Sequence, residues 1–170
     1  MAKTIVIRGN SGSGKTTVAN RLHALLGAGN LLISQDLVRR GMLKVADKPH
    51  NLAIGLIQNM LIYGQQHCDY VILEGILPSS KYGQMLRQTL LPEDDVFTYY
   101  YDLPFQETLK RHQSKQGATF GEKEMAAWFI PHDVLGLAQE RIIDETVSPD
   151  DLLKIICQDI GVAVGKPLDK

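Results

Sequence analysis

The residues best equipped for chemistry in this chain are Gly9-Asn10-Ser11-Gly12-Ser13-Gly14-Lys15-Thr16, which fit the spacing G-x-x-x-x-G-K-[ST]. Glycines reach backbone angles closed to other residues, so the peptide N–H groups of such a loop can all turn inward around a phosphate chain. A helix beginning at the loop's end adds partial positive charge, and Lys15 adds a full one for the β- and γ-phosphates. Thr16 offers a hydroxyl to Mg²⁺, and Thr17 follows it in the first helical turn. The dinucleotide pattern G-x-G-x-x-G fails, because Ser11 and Thr17 stand where glycines are required. The expected ligands are therefore a nucleoside triphosphate, ATP, and Mg²⁺.

Two carboxylates sit where such a loop could use them. Asp36 follows the run Leu31-Leu32-Ile33, and Glu74 follows Tyr70-Val71-Ile72-Leu73. A hydroxyl that accepts a phosphoryl group needs a carboxylate to orient it and take its proton, and Asp36 is the candidate base. Asp36 also reads as the N-cap of a helix starting Leu37-Val38-Arg39. Glu74 either holds Mg²⁺ through water or binds hydroxyls of the acceptor. Arg39, Arg40, Lys44 and Lys48 then place four cations within ten residues. They suit an anionic acceptor or the transferred group as well as a solvated helix face, and Arg39, one turn from Asp36, is the one expected to share its direction.

A third group follows Val96–Tyr101. Phe105 to Ser114 carries Lys110, Arg111 and His112, and Gln116–Gly121 breaks the helical pattern. This suits a lid over about 105–130 that brings Arg111 to the developing charge. Trp128, in a helix over 121–129, is expected to pack into the core, with stacking on a substrate ring as the alternative.

The elements that must position these groups alternate in kind. Five short apolar runs, Thr4–Ile7, Leu31–Ile33, Tyr70–Leu73, Val96–Tyr101 and Arg141–Ile143, are continuous rather than alternating, as strands buried on both faces are. Between them lie segments with helical spacing. Val18, Leu22, Leu25 and Leu26 predict a helix over 15–26, and Ile54, Ile57 and Leu61 one over 50–67. Ser148, Pro149, Asp150 and Asp151 open a last helix that Gly161 closes. This order predicts an α/β fold, a three-layer sandwich with a five-stranded parallel sheet and ligands at the strands' carboxyl ends. Residues 1–161 read as one domain and 162–170 as a frayed tail.

The bulk numbers narrow the function without choosing it. The chain has 170 residues, 22% charged, with 18 Lys+Arg against 19 Asp+Glu, a net charge of −1. That balance argues against a general nucleic-acid or anionic-membrane binder. No apolar stretch is long enough to span a bilayer, and Cys68 and Cys157 lack the spacing of a metal site. Free thiols and the absence of a signal-like apolar run give a cytoplasmic expectation.

Gly9–Thr16, Asp36-x-x-Arg39, Glu74-Gly75 and Arg111 together resemble the P-loop kinases that include zeta toxins, chloramphenicol phosphotransferases and the kinase domain of polynucleotide kinases. The resemblance spans the chain from first strand to last helix. It implies a five-stranded P-loop NTPase core with a helical lid, a monomer or loose homodimer, Asp36 as base and Arg39 near the phosphates. It also implies that the Glu74-Gly75 segment touches the acceptor. The chain departs from the pattern in having Lys115, not a second arginine, one turn beyond Arg111, and in lacking segments expected for antitoxin binding. The expected function is a kinase acting on a hydroxyl of a small molecule. A nucleic-acid 5′-hydroxyl kinase and a nucleotide-dependent switch are the alternatives.

Overall fold

The computed structural model describes residues 2–92, 94–113 and 120–163. Its sheet contains β1 (Lys3–Gly9), β2 (Leu31–Ser34), β3 (Tyr70–Gly75), β4 (Val96–Tyr101) and β5 (Glu140–Ile143), all parallel, in the order β2-β3-β1-β4-β5. Consecutive strands are thus joined by helical crossovers, α1 (Lys15–Leu26), α2 (Leu52–His67), α3 (Ser79–Leu90), and the pair α4 (Phe105–Gln113) and α5 (Glu122–Trp128), while α6 (Pro149–Asp159) follows β5. The expected five-stranded α/β sandwich is what the chain forms.

Alternate residues of one strand feed two cores, which is why the strand centres are mostly apolar on both faces. Val6 joins Ile33, Val71 and Leu73 under Ile57 and Leu61 of α2 and Leu86 of α3. Ile5 and Ile7 join Ile72, Tyr99 and Tyr101 under Val18 and Leu22 of α1 and Leu152 and Ile156 of α6. Burying one such side chain contributes roughly 1.5–3 kcal/mol, so the sheet is held from both faces. The edge strand β5 is the exception, with Arg141 and Ile142 exposed.

The helix starts follow their signals. Ser148 accepts the Asp151 N–H at 3.1 Å with Pro149 in the first turn, and Asn51 accepts the Ala53 N–H at 3.0 Å to open α2. Asp36, in contrast, makes no capping bond. It is itself helical in conformation and leads into a π-helical turn, Leu37–Met42. The frayed tail also needs correction at its start. Gly161 takes a left-handed φ of 74°, which lets the Val162 N–H reach the Cys157 carbonyl at 2.8 Å and seats Val162 in the core beside α6. Residues 164–170 lie outside the described residues.

Candidate active site

The register brings the two expected carboxylates to one rim. Glu74, the next-to-last residue of β3, lies opposite Ile7 of β1 and Ser34 of β2, and Asp36 is two residues past Ser34. Gly9 ends β1 beside Tyr101, so the loop Gly9–Thr16 leaves the sheet at the same carboxyl end.

The loop has the backbone its sequence promised. Gly9, Gly12 and Gly14 take φ values of 151°, 81° and 99°, with Gly14 serving as N-cap of α1. Lys15 is buried, and its ammonium donates to the Asn10 carbonyl at 3.0 Å, curled back over the loop where phosphate oxygens would otherwise take it.

Glu74 is only 3% exposed, and its carboxylate is held between two hydroxyls. Thr16 Oγ1 donates to one oxygen at 3.0 Å and Ser34 Oγ to the other at 2.6 Å. A carboxylate so buried would be costly without such partners. Magnesium prefers hard oxygen donors with several waters retained, and the Thr16 hydroxyl beside this carboxylate meets that preference. Ser34 is absent from the sequence reading. Its signal, a hydroxyl at a strand end facing an acid one strand over, exists only once the register is known.

Asp36 stands further out, with its side chain 59% exposed. Arg39 donates to Asp36 Oδ1 at 3.1 Å and Arg40 lies 3.5 Å from Oδ2, so the carboxylate is bracketed by two guanidinium groups. Arg39 faces the same way as Asp36, as its spacing predicts.

The expected lid is built differently from a free flap. α4 and α5 pack directly on the phosphate loop. A Cβ on Gly12 would come within 2.8 Å of Met125 Cε and crowd the Thr108 carbonyl, so only glycine fits there. The Asn10 side chain donates to the Ile130 carbonyl at 2.7 Å and accepts the Ile130 N–H at 2.9 Å, clamping the loop to the chain beyond α5. Asn10 was expected among the nucleotide-binding residues, and its side chain is committed to this clamp, leaving its backbone to the loop. Residues 114–119, at the heart of the expected lid, lie outside the described residues.

Arg111 meets the loop from its carbonyl side. Its guanidinium donates to the Ser13 carbonyl at 3.0 Å and to Glu107 at 2.8 Å, reaches the Val147 carbonyl at 3.5 Å, and lies 5.7 Å from the Tyr101 ring centre. The hydrogen bond and charge of Arg111 hold the Glu107 carboxyl below its usual range, while burial pushes the Tyr101 hydroxyl up to about 12. Trp128 is not in the core. It is 41% exposed and meets Phe120 edge-on at 5.1 Å, because α5 stands outside both core layers and buries only Met125.

A buried network behind the rim was not anticipated. Arg8, fully buried one residue before Gly9, donates to the Leu77 carbonyl from Nε (3.2 Å) and from a terminal nitrogen (3.0 Å), and pairs with Asp133 at 3.0 Å and Glu140 at 3.1 Å. Asp133 in turn accepts the Ser79 N–H at 2.9 Å and its hydroxyl, anchoring the start of α3. Leu77, just before Pro78, has a φ of 45°, a left-handed conformation that Arg8 helps hold. Burial lowers the Arg8 pKa against the pull of its two carboxylates. The sequence signal is a cation directly after the apolar run Ile5-Val6-Ile7.

No protein-family profile and no curated protein matches this sequence. Solved structures do match in shape. An APS kinase from Mycobacterium tuberculosis, solved with AMPPNP and APS, superposes with a TM-score of 0.66 at 19% identity, over 94% of this chain and 98% of that one. A gluconokinase from Sinorhizobium meliloti 1021 gives 0.66 at 14% identity, over 93% and 91%. A shikimate kinase from Acinetobacter baumannii, in complex with shikimate, gives 0.57 at 20%, over 93% and 92%. The chain has the fold of the P-loop kinases. At these identities the likeness establishes the fold alone.

Proposed function

We propose that this protein is an ATP-dependent kinase that transfers the γ-phosphoryl group to a hydroxyl of a small molecule. The observation that carries the reading is the Thr16–Glu74 contact at 3.0 Å, on the same rim as Asp36. A loop for phosphates, an oxygen site for a divalent ion and an acid at the open edge are the three parts that phosphoryl transfer requires. Mg²⁺ supplies charge neutralisation between the phosphates when bound; Thr16 would hold it directly and Glu74 through water. Lys15 leaves the Asn10 carbonyl for the β- and γ-phosphates. Asp36 orients the acceptor hydroxyl and receives its proton as the new O–P bond forms and the bond from the γ-phosphorus to the β,γ-bridging oxygen breaks, with ADP as the leaving group. Arg39 keeps Asp36 aimed and lies near the transferred group. Arg111 braces the loop at Ser13 so that its N–H groups keep their inward aim.

Names among the structural neighbours support a small acceptor, since gluconokinase, APS kinase and shikimate kinase are each named for one. The Asp36-x-x-Arg39 resemblance to the zeta toxin and chloramphenicol phosphotransferase group supports Asp36 as base. The chain's near-neutral charge favours a small molecule over a nucleic-acid strand.

The test is ATP consumption with Mg²⁺, alone and with a panel of hydroxylated metabolites and a 5′-hydroxyl oligonucleotide. The expected result is slow hydrolysis alone, stimulation by a metabolite with a phosphorylated product, and a loss of about 10³-fold in Lys15→Ala. ATP turnover indifferent to every acceptor would return the protein to the switch reading.

A further inference from the structure

The rim around Asp36 holds more positive charge than it can pair. Between Asp36 and Asn51, together with Lys81 of α3, stand Arg39, Arg40, Lys44, Lys48 and Lys81 against only Asp36 and Asp47, in a chain of net charge −1. Arg39 and Arg40 share Asp36, and Lys81 takes Asp47 at 2.8 Å. Lys44 and Lys48 are exposed and have no carboxylate partner among the described residues. Arg39 Nε is buried without a hydrogen-bond partner, and such a group in a folded protein asks for an explanation.

The loop that carries the two lysines is pinned. Val45 exchanges bonds with Arg39, N–H to carbonyl at 3.0 Å and guanidinium to carbonyl at 3.1 Å. The Asp47 carbonyl takes Lys81 at 2.7 Å, and the Lys48 carbonyl takes the Asn51 amide at 2.8 Å. At its far end Asn51 also reaches the Tyr82 hydroxyl at 3.4 Å, which accepts from Gln35, the neighbour of Asp36, at 3.2 Å. The loop therefore leaves Asp36 and is tied back, through Tyr82, to its neighbour Gln35. Within it Lys44 has a φ of 54°, a conformation that costs free energy in any residue with a Cβ. A fixed and strained loop that is tied at its far end, through Tyr82, to Gln35 beside Asp36, and that leaves its own lysines without a carboxylate, is built to present those cations.

We propose that the acceptor carries an anionic group, a carboxylate or a phosphate, received by Lys44 and Lys48 while its hydroxyl turns to Asp36. The inference rests on the kinase reading above and adds the chemical class of the acceptor. Two exposed ammonium groups suit one small anion; a strand-binding groove would need a longer basic track.

The test uses matched probes on one polyol skeleton: D-gluconate against D-glucitol for a carboxylate, and glucose 6-phosphate against glucose for a phosphate. Affinity is read by titration calorimetry with AMPPNP and Mg²⁺ present, after binding of AMPPNP itself has been recorded for each protein. The proposal expects at least one anionic probe to bind at least tenfold more tightly than its neutral partner. It expects that preference to fall at least tenfold in Lys44→Ala/Lys48→Ala and to persist in Lys123→Ala/Lys154→Ala, which removes the same charge from exposed positions on α5 and α6. Equal or better binding of the neutral probes, no binding of either anion, or equal losses in the two double variants overturns it while AMPPNP binding keeps the kinase reading standing. Absence of AMPPNP binding removes the kinase reading and this inference together.

Discussion

The glycine-loop end and the Asp36 end of the rim differ in how far they are enclosed. Around Gly9–Thr16 the chain is tightly packed: Asn10 is clamped to Ile130, Arg111 holds Ser13, Gly12 is pressed against Met125, and Glu74 is enclosed by Thr16 and Ser34, with Ser13 Oγ the one loop side-chain atom buried there without a hydrogen-bond partner among the described residues. Around Asp36 the carboxylate is exposed, the cations outnumber the acids, and Arg39 Nε lacks a partner. An enclosed site fits a ligand whose shape never varies, as a triphosphate's does not. An open one, with more cations than acids, leaves charge for a ligand to pair, and specificity is greatest where polar groups need their partner.

Three perturbations break or sharpen this contrast. The largest effect belongs to the open end. Asp36→Asn keeps the side chain's size and removes the base, so kcat is expected to fall about 10³-fold with AMPPNP affinity retained. Steady-state kinetics with the stimulating acceptor, paired with calorimetry, measures both, and unchanged turnover would show that Asp36 is only a partner for Arg39 and Arg40.

Next comes the enclosed end. Gly12→Ala asks a residue with a Cβ to adopt φ of 81° against Met125 and Thr108, and about 2–4 kcal/mol of stability is expected to go. For a chain of this length that is roughly a 10 °C drop in thermal midpoint. A midpoint within 2 °C of the parent, read as roughly the drift of repeated scans, means the packing of α4 and α5 on the loop is slack.

The smallest effect concerns the brace. Arg111 holds the Glu107 carboxyl below its usual range, so this pair's stabilisation is full above the ordinary carboxylate value and is lost as pH falls through the lowered one. Glu107→Gln should therefore lower the midpoint at neutral pH by the equivalent of less than about 1 kcal/mol, and the gap to the parent should narrow as pH falls below the ordinary carboxylate value and close once it passes the lowered one. A gap that stays constant down to acid pH would assign the effect to packing rather than charge.

The legible parts of the molecule were those whose physics is local. Strands buried on both faces announce themselves as unbroken apolar runs, and a helix such as α6 carries its cap, its proline and its stripe within fifteen residues. The phosphate loop is the extreme case, since eight consecutive residues contain the whole device. What escaped depends on residues far apart in sequence. Ser34 and Glu74 meet across 40 positions, Asn10 and Ile130 across 120, and nothing in either neighbourhood signals the other. The start of α3 had no signature because Pro78 offers no capping side chain and its Ser79 N–H is satisfied by Asp133 from elsewhere in the chain. An aromatic such as Trp128 fits a core by its residue type, and the position of α5 outside both layers decides otherwise.

Arg8 gathers the Leu77 carbonyl, Asp133 and Glu140 from 69, 125 and 132 residues away around one guanidinium. Losing the arginine alone would leave two carboxylates facing a dry interior, and losing either acid alone would unbalance the rest. Energetically these positions form a single unit. Neutral replacement of the three, one at a time, passes through an intermediate with an unpaired buried charge, so the charge of the strand before the glycine loop is fixed by partners far from it in sequence.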